Sequence, residues 1–219
     1  MIVVNTKAYK EGIGKNAVEL ARIMERVAEN FKIDIAIAVQ PSDIYMIASQ
    51  TSIPVFSQHI DAINYGSHTG WILPHAIREA GAVGSLLNHS EHRMKIEDIA
   101  EAIKIAKNLG LKTIACASNV GITEAIACLS PDYVAIEPPE LIGGDISVTK
   151  AKPSIVRDAV DAVKKINERV KVLCGAGIKD GNDVAKAVEL GADGILVASG
   201  IVKAKDREKV LNEMAEAMK

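Results

Sequence analysis

The sequence is poor in aromatic side chains, has no block of like charge and contains no long apolar run. Aromatics make up 3% of the 219 residues while apolar residues make up 48%, so a core must be assembled from Val, Ile, Leu and Ala. Such a supply suits strands covered on both faces. A formal net charge of −2 without charge blocks argues against nucleic acid or an anionic membrane as a partner. No apolar stretch approaches the roughly 20 residues of a membrane span. The opening M-I-V-V-N-T-K turns polar too soon for a secretory signal, and a cytoplasmic location is the expectation. Only three cysteines are present, Cys116, Cys128 and Cys174. They form no C-x-x-C pair, which fits buried thiols in a reducing compartment and gives no metal-ligand spacing.

What is present is a regular alternation. Short apolar runs at 2–5, 35–39, 54–58, 83–87, 113–117, 133–136, 172–174 and 194–197 read as eight strands, most of them continuously apolar. Amphipathic helical periods lie between them. Residues 16–30 place Ala17, Leu20, Ala21, Met24, Val27 and Ala28 on one stripe. Residues 95–109 do so with Ile96, Ile99, Ala100, Ile103 and Ala106, and residues 154–167 with Val156, Ala159, Val160, Val163 and Ile166. Gly81, Gly110 and Gly191 each stand between a helix and a strand, where a left-handed residue is wanted. Eight βα units in one uninterrupted run predict an α/β fold, a single-domain (β/α)8 barrel over residues 1–219; a doubly wound open sheet is the alternative.

In a barrel the chemistry belongs at the C-terminal ends of the strands. Strand one runs into Asn5, Thr6 and Lys7, and strand four into Asn88, His89, Ser90 and Glu91. Strand six ends in a carboxylate, Glu137, followed by Pro138 and Pro139 and then by Gly143 and Gly144. The prolines make a stiff elbow and the glycines a flexible tip. Strands seven and eight run into Gly175-Ala176-Gly177 and Ala198-Ser199-Gly200, small residues that leave backbone N–H groups open to a phosphate. Lys7 can hold a bound anion and polarise a substrate oxygen, and Glu91 reads as its structural partner, with a second acid as the alternative. S-E-H-R after His89 reads as the start of a short helix, whose dipole would keep the imidazole neutral and able to donate a hydrogen bond. His59, His68, His75 and His92 show no metal-ligand spacing, and neither metal nor cofactor is expected.

Taken together, N-T-K at 5–7, N-Y-G-S-H-T-G at 64–70, N-H-S-E-H-R at 88–93, E-P at 137–138 with I-G at 142–143, C-G-A-G at 174–177 and A-S-G at 198–200 resemble the triosephosphate isomerase family, in order and over the whole chain. The resemblance implies a glycolytic and gluconeogenic aldose–ketose isomerase that interconverts glyceraldehyde 3-phosphate and dihydroxyacetone phosphate. It implies Glu137 as base, His89 as neutral electrophile, Lys7 as the positive charge and Asn5 as an orienting group. Asn5, Lys7, Ile142, Gly143, Gly175, Gly177, Ala198 and Ser199 would hold the substrate and its phosphate. The chain is similar to the compact archaeal branch of the family, which implies a homotetramer rather than a dimer. It departs from the family pattern at Thr6 (usually aromatic), Asn88 (glycine), His92 (arginine) and Gly177 (serine).

Two other readings remain open on sequence. A phosphoribosyl isomerase or an indole-glycerol-phosphate-type synthase would share turns such as G-A-D-G-I-L-V-A-S-G, but would leave Asn5, Lys7 and His89 unexplained. A non-catalytic sugar-phosphate-binding barrel would need the turns and not both Glu137 and His89.

Overall fold

Apolar runs with no polar alternation become strands because both of their faces are covered. The computed structural model describes residues 1–138, 149 and 153–219. Its strands are β1 (Ile2–Asn5), β2 (Ile35–Val39), β3 (Val55–Ser57), β4 (Gly84–Leu87), β5 (Lys112–Ala117), β6 (Tyr133–Ile136), β7 (Lys171–Cys174) and β8 (Gly194–Val197). Each lies within one residue, at either end, of the run that predicts it. All eight pair in parallel in chain order, and β8 returns to β1 with Ile2 opposite Ile195, as Ile2 is opposite Ile35 on the other side. The sheet is a closed barrel, and the open-sheet alternative is excluded.

Among the described residues the helices are α1 (Lys15–Phe31), α2 (Ile44–Ala48), α3 (Pro74–Glu79), α4 (Ile96–Asn108), α5 (Val120–Cys128), α6 (Pro153–Ile166), α7 (Gly181–Glu189), α8 (Ser199–Val202) and α9 (Arg207–Glu216). Asn119, Asp180 and Asp206 cap α5, α7 and α9, each side chain accepting a backbone N–H three residues on. Gly81, Gly110 and Gly191 have φ of +100°, +71° and +93°, the left-handed turn that returns each helix to its strand. The helical stripes bury largely as predicted. Ile96 and Ile166 are the exceptions, 51% and 40% exposed. Each is a terminal residue of its helix, with no further turn beside it to complete the buried face.

Strand residues separate into two cores. Ile2, Val4, Ile35, Ile37, Ala115, Ala117, Ile195 and Val197 pack with the helices. Val3, Ala36, Ala38, Phe56, Leu86, Ile114, Cys116 and Leu196 pack with one another inside the barrel. The single period-two switch along each strand produces both. Phe56 fills the barrel interior because Gly84 has no side chain: a Cβ there would collide with the Phe56 ring and with the Lys112 carbonyl. The interior is a packed plug, so the eight strand ends form one rigid platform.

Candidate active site

The platform carries the side chains by simple continuation of its strands. β1 delivers Asn5, and the chain then turns through Lys7, whose φ is +50°. Asn5 Oδ1 accepts the Lys7 backbone N–H at 3.0 Å, closing that turn. β4 delivers Asn88, φ +54°, and then His89. β6 delivers Glu137, whose N–H donates to the Ala117 carbonyl of β5 at 2.7 Å. β7 and β8 end in Gly175 and Ala198. Asn5, Lys7, His89 and Glu137 line one cavity, and Gly175, Gly177, Ala198 and Ser199 line the same cavity. Ile142 and Gly143, expected on this site, lie outside the described residues, as do Pro139 and Gly144.

The helix expected immediately after His89 does not form. The chain makes a turn in which the His92 N–H donates to the His89 carbonyl at 2.8 Å, and α4 begins only at Ile96. Glu91, His92 and Arg93 are exposed, so a single helical turn here would bury nothing to offset its nucleation cost. The helix-dipole argument for a neutral His89 therefore fails, and a hydrogen bond replaces it. The backbone N–H of Glu91 donates to His89 Nδ1 at 3.2 Å, nearer than the Glu91 carboxylate oxygen at 3.7 Å. An acceptor nitrogen carries no proton, which leaves the hydrogen on Nε2. Nε2 in turn stands 3.3 Å from Glu137 Oε1.

Glu137 is 2% exposed and His89 is 8% exposed. The second carboxylate oxygen of Glu137 is buried and has no hydrogen-bond partner among the described residues. Lys7 Nζ donates to Glu91 Oε1 at 2.8 Å, with the lysine side chain 12% exposed and the glutamate 58%. With its carboxylate more than half exposed, the pair contributes little stability. The pair ties the ammonium to Glu91, on the same turn that carries His89. Beneath the acid, burial and secondarily the Glu137 carboxylate push the Cys116 thiol well above its usual range. Burial alone dominates for Cys174, pushed up to about 12. Both thiols stay protonated and apolar at neutral pH.

A buried carboxylate with one oxygen unpartnered among the described residues, an imidazole beside it, and an ammonium and two small-residue turns lining the same cavity make a site suited to moving a proton on a small anionic carbonyl compound. A family model described as triosephosphate isomerase matches residues 1–217. The chain belongs to the triosephosphate isomerase family. It is 53% identical to the triosephosphate isomerase of Methanocaldococcus jannaschii over 98% of each chain. It is 50% identical to that of Methanothermus fervidus over 100% of this chain and 98% of the relative, and 50% identical to that of Archaeoglobus fulgidus over 98% and 96%.

Within this family member, one group essential to the geometry escaped the sequence reading. Gln58, just past β3, turns its amide nitrogen toward Asn5 Oδ1 at 3.1 Å, Thr6 Oγ1 at 3.1 Å and the Lys7 carbonyl at 3.0 Å. Gln40 adds a bond to the same carbonyl at 3.3 Å. These donors hold Lys7 in its left-handed conformation, which a lysine seldom adopts unaided. Thr6, where the family usually carries an aromatic, is fully buried and is a partner in that network. A polar residue at the end of an apolar run, P-V-F-S-Q, was the available signal. Glu91, read as the partner of Lys7, is found there. Among the described residues no helix is long and apolar enough to cross a membrane.

Proposed function

We propose that this chain interconverts D-glyceraldehyde 3-phosphate and dihydroxyacetone phosphate through an enediolate, serving glycolysis and gluconeogenesis, with residues 1–219 acting as one domain. The observation that supports this most is the pairing of Glu137 Oε1 with the protonated nitrogen of His89 at 3.3 Å inside a cavity that Lys7 also lines. Glu137 takes a proton from the carbon beside the carbonyl, and the electron pair moves onto the carbonyl oxygen. His89 Nε2–H donates to that oxygen as it becomes negative, and Lys7 adds a positive field; donors fixed in advance are what lowers such a barrier. The proton then returns from Glu137 to the neighbouring carbon, while the hydroxyl proton of the enediolate passes from one oxygen to the other, so that the carbonyl and the hydroxyl exchange places. Asn5 orients Lys7 and the substrate. Backbone N–H groups at Gly175, Gly177, Ala198 and Ser199, with Ile142 and Gly143, receive the phosphate. The reaction needs no cofactor or metal; its partner is the phosphorylated triose. By family resemblance we place the chain in the cytoplasm as a homotetramer.

The test is a coupled assay on purified protein supplied with glyceraldehyde 3-phosphate. Formation of dihydroxyacetone phosphate is expected, and a protein that leaves the substrate unchanged contradicts the reading.

A further inference from the structure

No helix steadies the turn that carries His89, and other bonds must hold the imidazole against Glu137. Asn88, 6% exposed, uses every polar group it has. Its side-chain nitrogen donates to the Cys116 carbonyl of β5 at 2.9 Å. Its side-chain oxygen accepts the Met94 N–H at 3.0 Å, and its own N–H points at Met94 Sδ at 3.3 Å. Its carbonyl accepts from Arg93 Nη1 at 2.8 Å. A carbonyl can only accept and an N–H can only donate, so the two side-chain bonds fix which way the amide faces.

Two consequences follow from these bonds. The contacts to Met94 and Arg93 close residues 88–94 into a ring, inside which Glu91 N–H meets His89 Nδ1. The contact to Cys116 pins that ring to β5 one residue before Ala117, whose carbonyl accepts the Glu137 N–H. Acid and imidazole are thereby referenced to consecutive peptides of one strand. We infer that Asn88 is a positioning residue, which sets His89 in register with Glu137 in place of the absent helix. The inference rests on the isomerase reading of the site. The position needs a left-handed backbone, φ +54°, which glycine or asparagine supplies readily. Glycine alone would satisfy the backbone and make neither side-chain bond.

The experiment compares parent, Asn88→Gly and Asn88→Asp. Glycine keeps the backbone and removes both side-chain bonds. Aspartate keeps the acceptor for Met94 and cannot donate to Cys116. Small misplacements of reacting groups cost on the order of 10²-fold in rate, so kcat is expected to fall about 10- to 100-fold in both variants while KM for glyceraldehyde 3-phosphate stays within about twofold. Nitrogen-15 spectra of the imidazole give a second readout. The parent should show a distinct acceptor Nδ1 and protonated Nε2, and Asn88→Gly should draw the two signals together as the tautomers exchange. Parental kcat in Asn88→Gly overturns the inference, as does a loss of kcat that tracks a smaller folded fraction while the nitrogen signals stay parental. If Asn88→Gly does not fold, Asn88→Asp with parental kcat overturns it. A parent without isomerase activity, or a His89→Gln variant turning over at the parental rate, defeats the underlying reading of the site instead.

Discussion

Gly175 combines a proposed phosphate contact with a packing duty that needs no ligand. As the first residue after β7 it lines the cavity with its backbone. Its missing side chain also makes room for the acid: a Cβ there would stand 2.7 Å from Glu137 Cγ and 3.3 Å from the Ile136 carbonyl. The backbone cannot yield easily in a closed sheet, so the carboxylate must move. Gly175→Ala should lower kcat by on the order of 10²-fold, the typical cost of displacing a catalytic group by about an ångström, with a smaller change in KM. Parental kcat in steady-state kinetics would show that the acid tolerates displacement and that the packing of β7 against it sets nothing. The sequence motif C-G-A-G exposes the first duty, because small residues at a barrel rim suit phosphate. It conceals the second, because the pressure comes from a residue 38 positions earlier on the next strand. The placement of Glu137 and His89 on one rim was legible for a different reason: each follows an apolar run, and a parallel barrel puts every such position on one rim.

At the scale of elements, the segment after β3 and the segment after β4 meet through two imidazoles. The His59 and His92 rings stack with centroids 4.2 Å apart, and His59 Nε2 lies 3.2 Å from Asp61 Oδ1. Asp61 Oδ2 accepts the Ile72 N–H at 2.6 Å, which closes the base of the 58–73 segment. Burial holds the His59 pKa below its ordinary value; Asp61 opposes the shift and His92 adds to it. As pH falls through the ordinary histidine value of about 6.5, the unfolded chain therefore binds a proton that the folded chain resists. The contribution of His59 to stability is complete above that pH and is lost below it. Urea unfolding from pH 8 to 5 should show the parent losing stability more steeply below about pH 6.5 than His59→Gln does. Equal slopes would mean that His59 titrates freely in the folded protein. None of this contact was readable in sequence, because residues 59 and 92 are joined only by the docking of two connections. The helix misread after His89 belongs here too. Ser and Glu at the head of S-E-H-R carry the local signal of a helix start, but Glu91, His92 and Arg93 bury no face, and the ring tied by Asn88 prevails.

At the scale of the whole molecule, eight short strands enclose a plug of apolar side chains, and the helices wrap the outside. That architecture was legible because the same unit recurs eight times with no interruption, and each recurrence leaves one strand buried on both faces. The platform was therefore predictable, whereas the bonds between its loops, such as those of Gln58 to Asn5 and Lys7, were not. They join residues about 50 positions apart through side chains that have no period. The proposed homotetramer is also a property of this scale. Sedimentation equilibrium of the purified chain should return four times the 23.3 kDa chain mass, and a monomer or dimer would reject the assembly. Glu137 is the group proposed to carry the proton. The most direct measurement is kcat for glyceraldehyde 3-phosphate in the parent and in Glu137→Asp, which withdraws the carboxylate by one methylene. A fall in kcat on the order of 10²-fold with KM changed far less is expected; equal turnover in the two proteins would remove Glu137 from the base role.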